Sequence, residues 1–269
     1  QDSEGNDRKN MDLPYNQDKV IAALTKANKN FAVVLITGNA VTMPWVKDVP
    51  AIVQAWYLGS EAGNSIASIL AGDANPSGKL PFTFPVKLQD NAAHTMGEYP
   101  GDAAEFAAGK GKDQKNIINI TYNEGIFVGY RWHDTKNIKP QFSFGHGLSY
   151  TTFEFGKAKA DKTSMGKDDK ITFTVNLKNT GKKAGAEVAQ LYIRDFKSSL
   201  PRPLKELKGF EKVYLNPSEQ KEVSFTIDKA ALSYFDADKH EWVAEPGEFE
   251  ALIGNSSDAI KTKLTFTLH

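Results

Sequence analysis

The sequence predicts an α/β layered sandwich over residues 1–150, followed by an all-β immunoglobulin/fibronectin III-like sandwich over residues 151–269. Three observations carry that reading. Helix-like and strand-like runs succeed one another in the first part with short connections. From Phe153 onward, apolar and polar residues alternate with a period of two. Turn signals such as Lys178-Asn-Thr-Gly181, Asn216-Pro217 and Pro246-Gly247 punctuate that second part.

Taken in order, Asn16 is placed to cap a helix whose apolar positions Val20, Ile21, Leu24 and Ala27 share one face, and Asn30 ends it. Phe31–Ile36 is a continuous apolar run, the pattern of a strand buried on both faces of a parallel sheet. Thr37-Gly38-Asn39 turns the chain, and Ala51–Tyr57 reads as a second buried strand. Ser60 is expected to cap a helix through Ile66, Ile69 and Leu70 that stops at Gly72. Residues 86–121 are polar and lack periodicity. So long a stretch is either a tolerated surface insertion or a functional loop. In the second part Ile171, Phe173, Val175 and Leu177 alternate with polar residues, as do Ala189, Leu191, Ile193 and then Val223, Phe225, Ile227. The expectation is seven or eight short strands. The Cys…Trp…Cys pattern is missing, so fibronectin-like is the better label.

Composition narrows the chemistry. Lys+Arg and Asp+Glu are both 33, so no broad electrostatic grip on nucleic acid is expected. No cysteine is present, which removes disulfides, thiol catalysis and cysteine zinc sites. No apolar run approaches the roughly 20 residues that span a bilayer, and no membrane partner is expected. No signal peptide is visible, and a start at Gln1 without Met reads as an imposed or processed cut.

Most motif-like stretches fail on inspection. Gly72-Asp-Ala-Asn-Pro-Ser-Gly78-Lys79 misses the phosphate-loop spacing by one residue, and Leu80 stands where a hydroxyl should hold magnesium, so it reads as a turn leading into a strand. His94, His133, His146, His240 and His269 show no metal-binding spacing, and neither metal nor cofactor is expected. Gly145–Ser149 lacks the order of a nucleophile elbow. Asn119-Ile-Thr121 and Asn255-Ser-Ser257 match glycosylation sequons, which arise easily by chance. Trp45, Trp56 and Tyr57 are expected to flank the first sheet, and Trp242 to sit in the sandwich. The segment Tyr122–Asp134 mixes aromatics, an arginine and two acids. It suits a sugar, whose C–H faces stack while its hydroxyls need partners; the edge of a strand core explains the same letters. The opening Ser3-Glu4-Gly5-Asn6-Asp7-Arg8 is a loop ahead of a helix. Charged termini are as a rule solvated, yet a loop carboxyl such as Glu4 can serve as a general acid, with Asp7 and Arg8 bracing the loop.

Several blocks then coincide with one family. Glu4-Gly-Asn-Asp7-Arg8 with Leu13-Pro14 and Gln17 resembles the EGxDR…LP..Q segment of family 3 glycoside hydrolases. Trp56–Gly63 and Ile69–Pro85 are similar to that family's WYPGQEGG and LxGDxNPSGRLPxTFP. Tyr122–Arg131 and Phe142–Phe153 resemble YxEGIxVGYR and FPFGYGLSYTxF. Val188–Ile193, Arg202–Phe210 and Pro246–Phe249 are similar to its fibronectin-like domain.

The resemblance implies the C-terminal half of an α/β sandwich domain plus a fibronectin type III-like domain, from a retaining exo-acting β-glycosidase of the β-glucosidase kind. It implies Glu4 as acid/base, although Ser3 departs from the glycine many relatives carry there. The nucleophilic aspartate would lie on an N-terminal barrel outside these residues. The chain alone should therefore be inactive. The barrel, as domain or fragment, is the expected partner, with a homo-oligomer as the other way to cover exposed edges. The substrate implied is a β-linked oligosaccharide or glycoside, with Tyr122 and Trp132 as weak binding candidates, and the location implied is periplasmic or secreted. A β-xylosidase of the same family, a non-catalytic carbohydrate- or protein-binding module and a structural scaffold are the alternatives.

Overall fold

The computed structural model describes residues 8–99, 101 and 120–269. It divides into two compact units: residues 1–74, 84–124 and 139–141 form the first, and residues 75–83, 125–138 and 142–269 form the second.

In the first unit α1 spans Gln17–Ala27, β1 Ala32–Leu35, β2 Ala51–Gln54, α2 Ala62–Ala71 and α3 Ala92–Thr95. The two strands pair in parallel, Ala32 opposite Ala51 and Leu35 opposite Gln54. The order matches expectation, but several boundaries do not. Asn16 sits ahead of α1 with φ 58° and makes no side-chain cap; Asn28, not Asn30, ends the helix. Instead Asp18 in the first turn accepts the indole N–H of buried Trp45 at 2.6 Å. On the expected apolar face only Ile21 is buried, whereas Val20 and Leu24 are exposed. Ser60 caps nothing: Gly59–Glu61 form a 3-10 turn ahead of α2. Gly72 does end α2, at φ 81°, where a side chain would be strained. The second strand stops at Gln54, because Trp56 adopts φ 58° and breaks the extended run. The polar region after residue 86 holds a 3-10 turn at Leu88–Asp90 and α3.

Burial on both faces is not what these strands show. Val33 and Leu35 are buried, while β2 and α2 carry no buried residue. Two parallel strands cannot cover their own faces; such sheets need further strands and helices.

The second unit opens with α4, Tyr130–Thr135. Its strands are β3 Phe153–Phe155, β4 Lys159–Ala160, β5 Ser164–Met165, β6 Lys170–Asn179, β7 Gly185–Asp195, β8 Glu206–Leu215, β9 Gln220–Asp228, β10 Tyr234–Asp236, β11 Glu241–Val243, β12 Gly247–Gly254 and β13 Ile260–Leu268, with α5, Lys229–Leu232, between β9 and β10. One sheet runs β5-β13-β12-β7-β8. The other centres on β6, with β9 along one edge and β3 and β4 along the other. Ile171, Phe173, Val175 and Leu177 face Leu191, Ile253 and Phe266 in one core, all between 0 and 2% exposed. Each such side chain contributes roughly 1.5–3 kcal/mol by leaving water. Asn255, in the second sequon, donates from its side chain to Glu187 at 3.0 Å, so its amide is committed within this unit.

The outer face of β7 departs from simple alternation. Val188, Gln190 and Tyr192 should meet water, yet they are 9%, 3% and 0% exposed. The Tyr130 ring stands edge-on to Tyr192 at 5.8 Å and stacks on Phe144 at 5.0 Å. Tyr192 donates to Gln190 at 2.6 Å, and Gln190 donates to the Asn255 carbonyl at 2.8 Å. The segment expected as a sugar-facing stretch or strand edge is thus, from Tyr130 on, a helix covering a sheet. Trp242 lies outside the core, 68% exposed on the β10–β11 ribbon, its ring 5.7 Å from Phe235.

Candidate active site

Glu4 and Asp7 lie outside the described residues. Arg8, four positions after Glu4, is held: its guanidinium donates to the Ala40 carbonyl at 3.4 Å and the Asp12 carbonyl at 3.5 Å. Thr42 binds the same strap twice. Its N–H donates to the Met11 carbonyl at 2.9 Å and its hydroxyl to the Asp12 carboxylate at 2.8 Å. Met11 and Leu13 are buried beneath. The chain leaving Arg8 is therefore clamped by main-chain bonds and apolar anchors, whatever the charged letters before it suggested.

Beside this strap lies a cleft of about 170 Å³ whose walls include Arg8, Leu13, Pro14, Gln17, Thr37 and Tyr57. Four of these belong to a single sequence block, and Tyr57 to the Trp56–Gly63 block. Their convergence has a local cause. Tyr15 and Asn16 take φ of 56° and 58°, which turns the chain sharply between Pro14 and Gln17. Trp56 is a third non-glycine residue at positive φ, with its ring edge-on to Phe84 at 5.9 Å. A bulky residue at positive φ is strained, and such strain persists where surroundings over-determine it. The neighbouring Tyr57 ring lies over Gly38, where a Cβ would stand 2.9 Å from Tyr57 Cε2. Gln54 fixes the same turn by donating to the Thr37 carbonyl at 3.2 Å and hydroxyl at 3.1 Å.

Chemically, the cleft combines an exposed phenol ring, a guanidinium, a carboxamide and a hydroxyl around an apolar floor. That set can stack on a ring face and hydrogen-bond hydroxyls. No carboxylate lines it among the described residues. Among the described residues no group of three His, Cys, Asp or Glu side chains could hold a metal. The sequence pointed to Arg8 but not to Thr37 or Tyr57; the signal available was Gly38, the one residue that lets Tyr57 close on the turn.

The other candidates scatter. Tyr122 is 75% exposed in the first unit. Trp132 is 6% exposed on α4 of the second unit, with the Lys136 ammonium 5.1 Å from its ring. A buried indole offers no face to a sugar. Lys79, tested above as a phosphate-loop lysine, is spent on Glu187 at 2.6 Å and the Gly147 carbonyl at 2.8 Å.

Residues 1–130 match the model for the glycosyl hydrolase family 3 C-terminal domain, and residues 187–257 that for the fibronectin type III-like domain. The chain is 51% identical over 268 residues to a β-glucosidase of Bacteroides ovatus, covering 99% of this chain and 34% of that protein. It is 46% identical to thermostable β-glucosidase B of Acetivibrio thermocellus, covering 97% and 33%. Among solved structures it resembles the β-glucosidase of Kluyveromyces marxianus in complex with glucose, with TM-score 0.88 and 42% identity over 99% of this chain and 30% of that one. The chain thus spans about a third of the length of the relatives it matches.

Proposed function

The chain belongs to glycoside hydrolase family 3, and from that premise we propose that it is the C-terminal part of a retaining, exo-acting β-glucosidase with Glu4 as its general acid/base. The observation that carries the proposal is the run of 99% of this chain along a β-glucosidase at 51% identity, with Glu4 heading the block whose later members share one cleft.

In this reading a protonated Glu4 donates to the leaving glycosidic oxygen while a carboxylate from outside the chain attacks the anomeric carbon. A water then attacks the anomeric carbon and gives its proton to Glu4; the bond from that carbon to the attacking carboxylate breaks, and the sugar leaves with its configuration retained. Retention requires the two carboxyls to stand about 5–5.5 Å apart. Arg8 and the Met11–Thr42 clamp fix the strap downstream of Glu4, with Asp7 as a second brace. Tyr57 and Gln17 are suited to the leaving-group side. The domain division at 150/151, Tyr122 as a sugar contact and an upstream barrel as partner belong to the same proposal.

The test is Glu4→Gln in the protein that carries these residues, together with whatever coding sequence lies upstream. Turnover of an unactivated β-glucoside should fall by roughly 10²–10⁴-fold, the usual worth of general acid–base catalysis. An aryl glucoside with a good leaving group should lose much less in its first step. Equal loss on both would remove the acid role. Xyloside turnover above glucoside turnover in the parent enzyme would move the assignment to β-xylosidase, and no turnover of either would leave a binding module.

A further inference from the structure

One pair of side chains stands apart from the cleft. Glu98 follows α3, in the turn where its own N–H donates to the Ala93 carbonyl at 2.8 Å. Glu124 lies in the turn that begins the Tyr122–Asp134 segment. Both side chains are 8% exposed. Glu98 Oε1 accepts the Asn123 N–H at 2.9 Å, so it is tied to the residue next to its partner. The Glu98 side chain thus stands beside the Glu124 carboxyl and acts on it. Each keeps a buried Oε2 with no donor among the described residues. No lysine or arginine acts on Glu124; Glu98 is the only charged group that does, among the described residues. His94 lies on α3, its ring 5.2 Å from Tyr99, with burial holding it below the usual histidine range.

Two carboxyl groups have acceptors only when both are ionised. A bond between them exists only while one proton is shared, and two buried carboxylates side by side repel. We propose that Glu98 and Glu124 share one proton and thereby pin the turn after α3 to the Asn123–Glu124 turn, a latch that opens as the pH rises. The bond from Glu98, opposed by a backbone contact and helped by burial and Glu98's charge, raises Glu124 above the ordinary carboxylate range. The sign follows. A carboxyl whose folded-state value is raised adds stability at low pH and loses it as the pH climbs from the unfolded value through the folded one. The proposal is independent of the glycosidase reading.

Hydrogen exchange followed by mass spectrometry on the intact chain tests it, with rates corrected for intrinsic pH dependence. Protection of peptides covering 93–99 and 122–126 should fall by up to about tenfold for each unit of pH between the unfolded and the folded value and level off above the folded one, while the β7 and β12 peptides stay unchanged. Glu124→Gln supplies a permanent N–H donor to the Glu98 carboxylate, so its protection should stay flat between pH 5 and 8. The same slope in Glu124→Gln as in the parent would overturn the proposal. So would millimolar calcium restoring protection at pH 8 in the parent alone, which would assign the pair to a cation. If the variant fails to fold, ¹³C titration of the carboxyl carbons in the parent decides. Two well-separated steps support proton sharing, and two ordinary overlapping ones overturn it.

Discussion

Replacing Lys79 by methionine tests how the strap 75–83 is held within the second unit. The ammonium stands 2.6 Å from Glu187 Oε1 and donates to the Gly147 carbonyl at 2.8 Å, with side chains 12% and 8% exposed for Lys79 and Glu187. Removing one member of a buried pair costs about 3–5 kcal/mol, because the other is left charged and desolvated. Glu187 would keep two donors, Asn255 Nδ2 at 3.0 Å and the Val188 N–H at 2.8 Å. Those place the cost near the low end, about 3 kcal/mol. With a urea slope of about 2–3 kcal/mol/M, the midpoint should fall by about 1–1.5 M without a change in slope. The double variant Lys79→Met/Glu187→Leu removes the stranded charge as well and should be more stable than Lys79→Met alone. The assay is urea unfolding followed by near-ultraviolet circular dichroism. A Lys79→Met midpoint unchanged from the parent, or a double variant weaker by the sum of the two singles, would refute the reasoning.

Two further outcomes are expected. His146 stacks on Phe142 at 5.2 Å, and burial lowers its proton affinity below the ordinary histidine value, with Lys79 adding to this and Asp258 opposing it. Its neutral form is favoured by folding, so the stability it adds is present above about pH 6.5 and is lost as the pH falls below that value. The drop in melting temperature from pH 7.5 to 5.5 should shrink in His146→Gln, and an unchanged drop would dismiss the histidine. Separately, Val20, Ile36 and Leu70 are 56%, 57% and 52% exposed in the first unit. The isolated chain should associate with itself or with a complementary fragment. Sedimentation equilibrium at a mass of 29.6 kDa across concentrations would contradict this.

The sandwich was legible because its strands each cover one face. Ile171, Phe173, Val175 and Leu177 alternate in the sequence, and all four are buried on the same side of β6. The rule failed on β7, where Tyr192 lies against Tyr130 and Gln190 against Gly145, residues distant in sequence. A period of two cannot reveal a second cover that arrives from elsewhere in the chain. Trp242 misled for the opposite reason: alternation places it on a strand, but among the described residues β11 pairs only with the short β10, and Trp242 stays 68% exposed. In the first unit the apolar runs located β1 and β2, but burial on both faces was inferred from composition rather than from any neighbour that could provide it.

The resemblance blocks separate by physical task once their atoms are placed. Asn75, Lys79, Tyr130 and Phe144 commit their polar atoms or rings to partners inside the second unit. They would be needed in any protein with this sandwich, whatever it hydrolysed. Arg8, Leu13, Pro14, Gln17 and Tyr57 instead face one open cleft in the first unit. That cleft contains no carboxylate among the described residues. A retaining mechanism needs two carboxyls about 5–5.5 Å apart. In the proposed reading, with Glu4 as one of that pair, the second carboxyl comes from outside these cleft residues. The division predicts two kinds of failure. Changes such as Lys79→Met should lower stability and leave turnover per folded molecule intact. Changes such as Tyr57→Ala, at a ring 62% exposed, should leave the melting temperature within about 2 °C, consistent with a surface substitution of under about 0.5 kcal/mol, and act on KM or kcat of the assembled enzyme. If Tyr57→Ala unfolds the chain and spares turnover, the cleft is a packing feature and the assignment of the first block to chemistry loses its structural support.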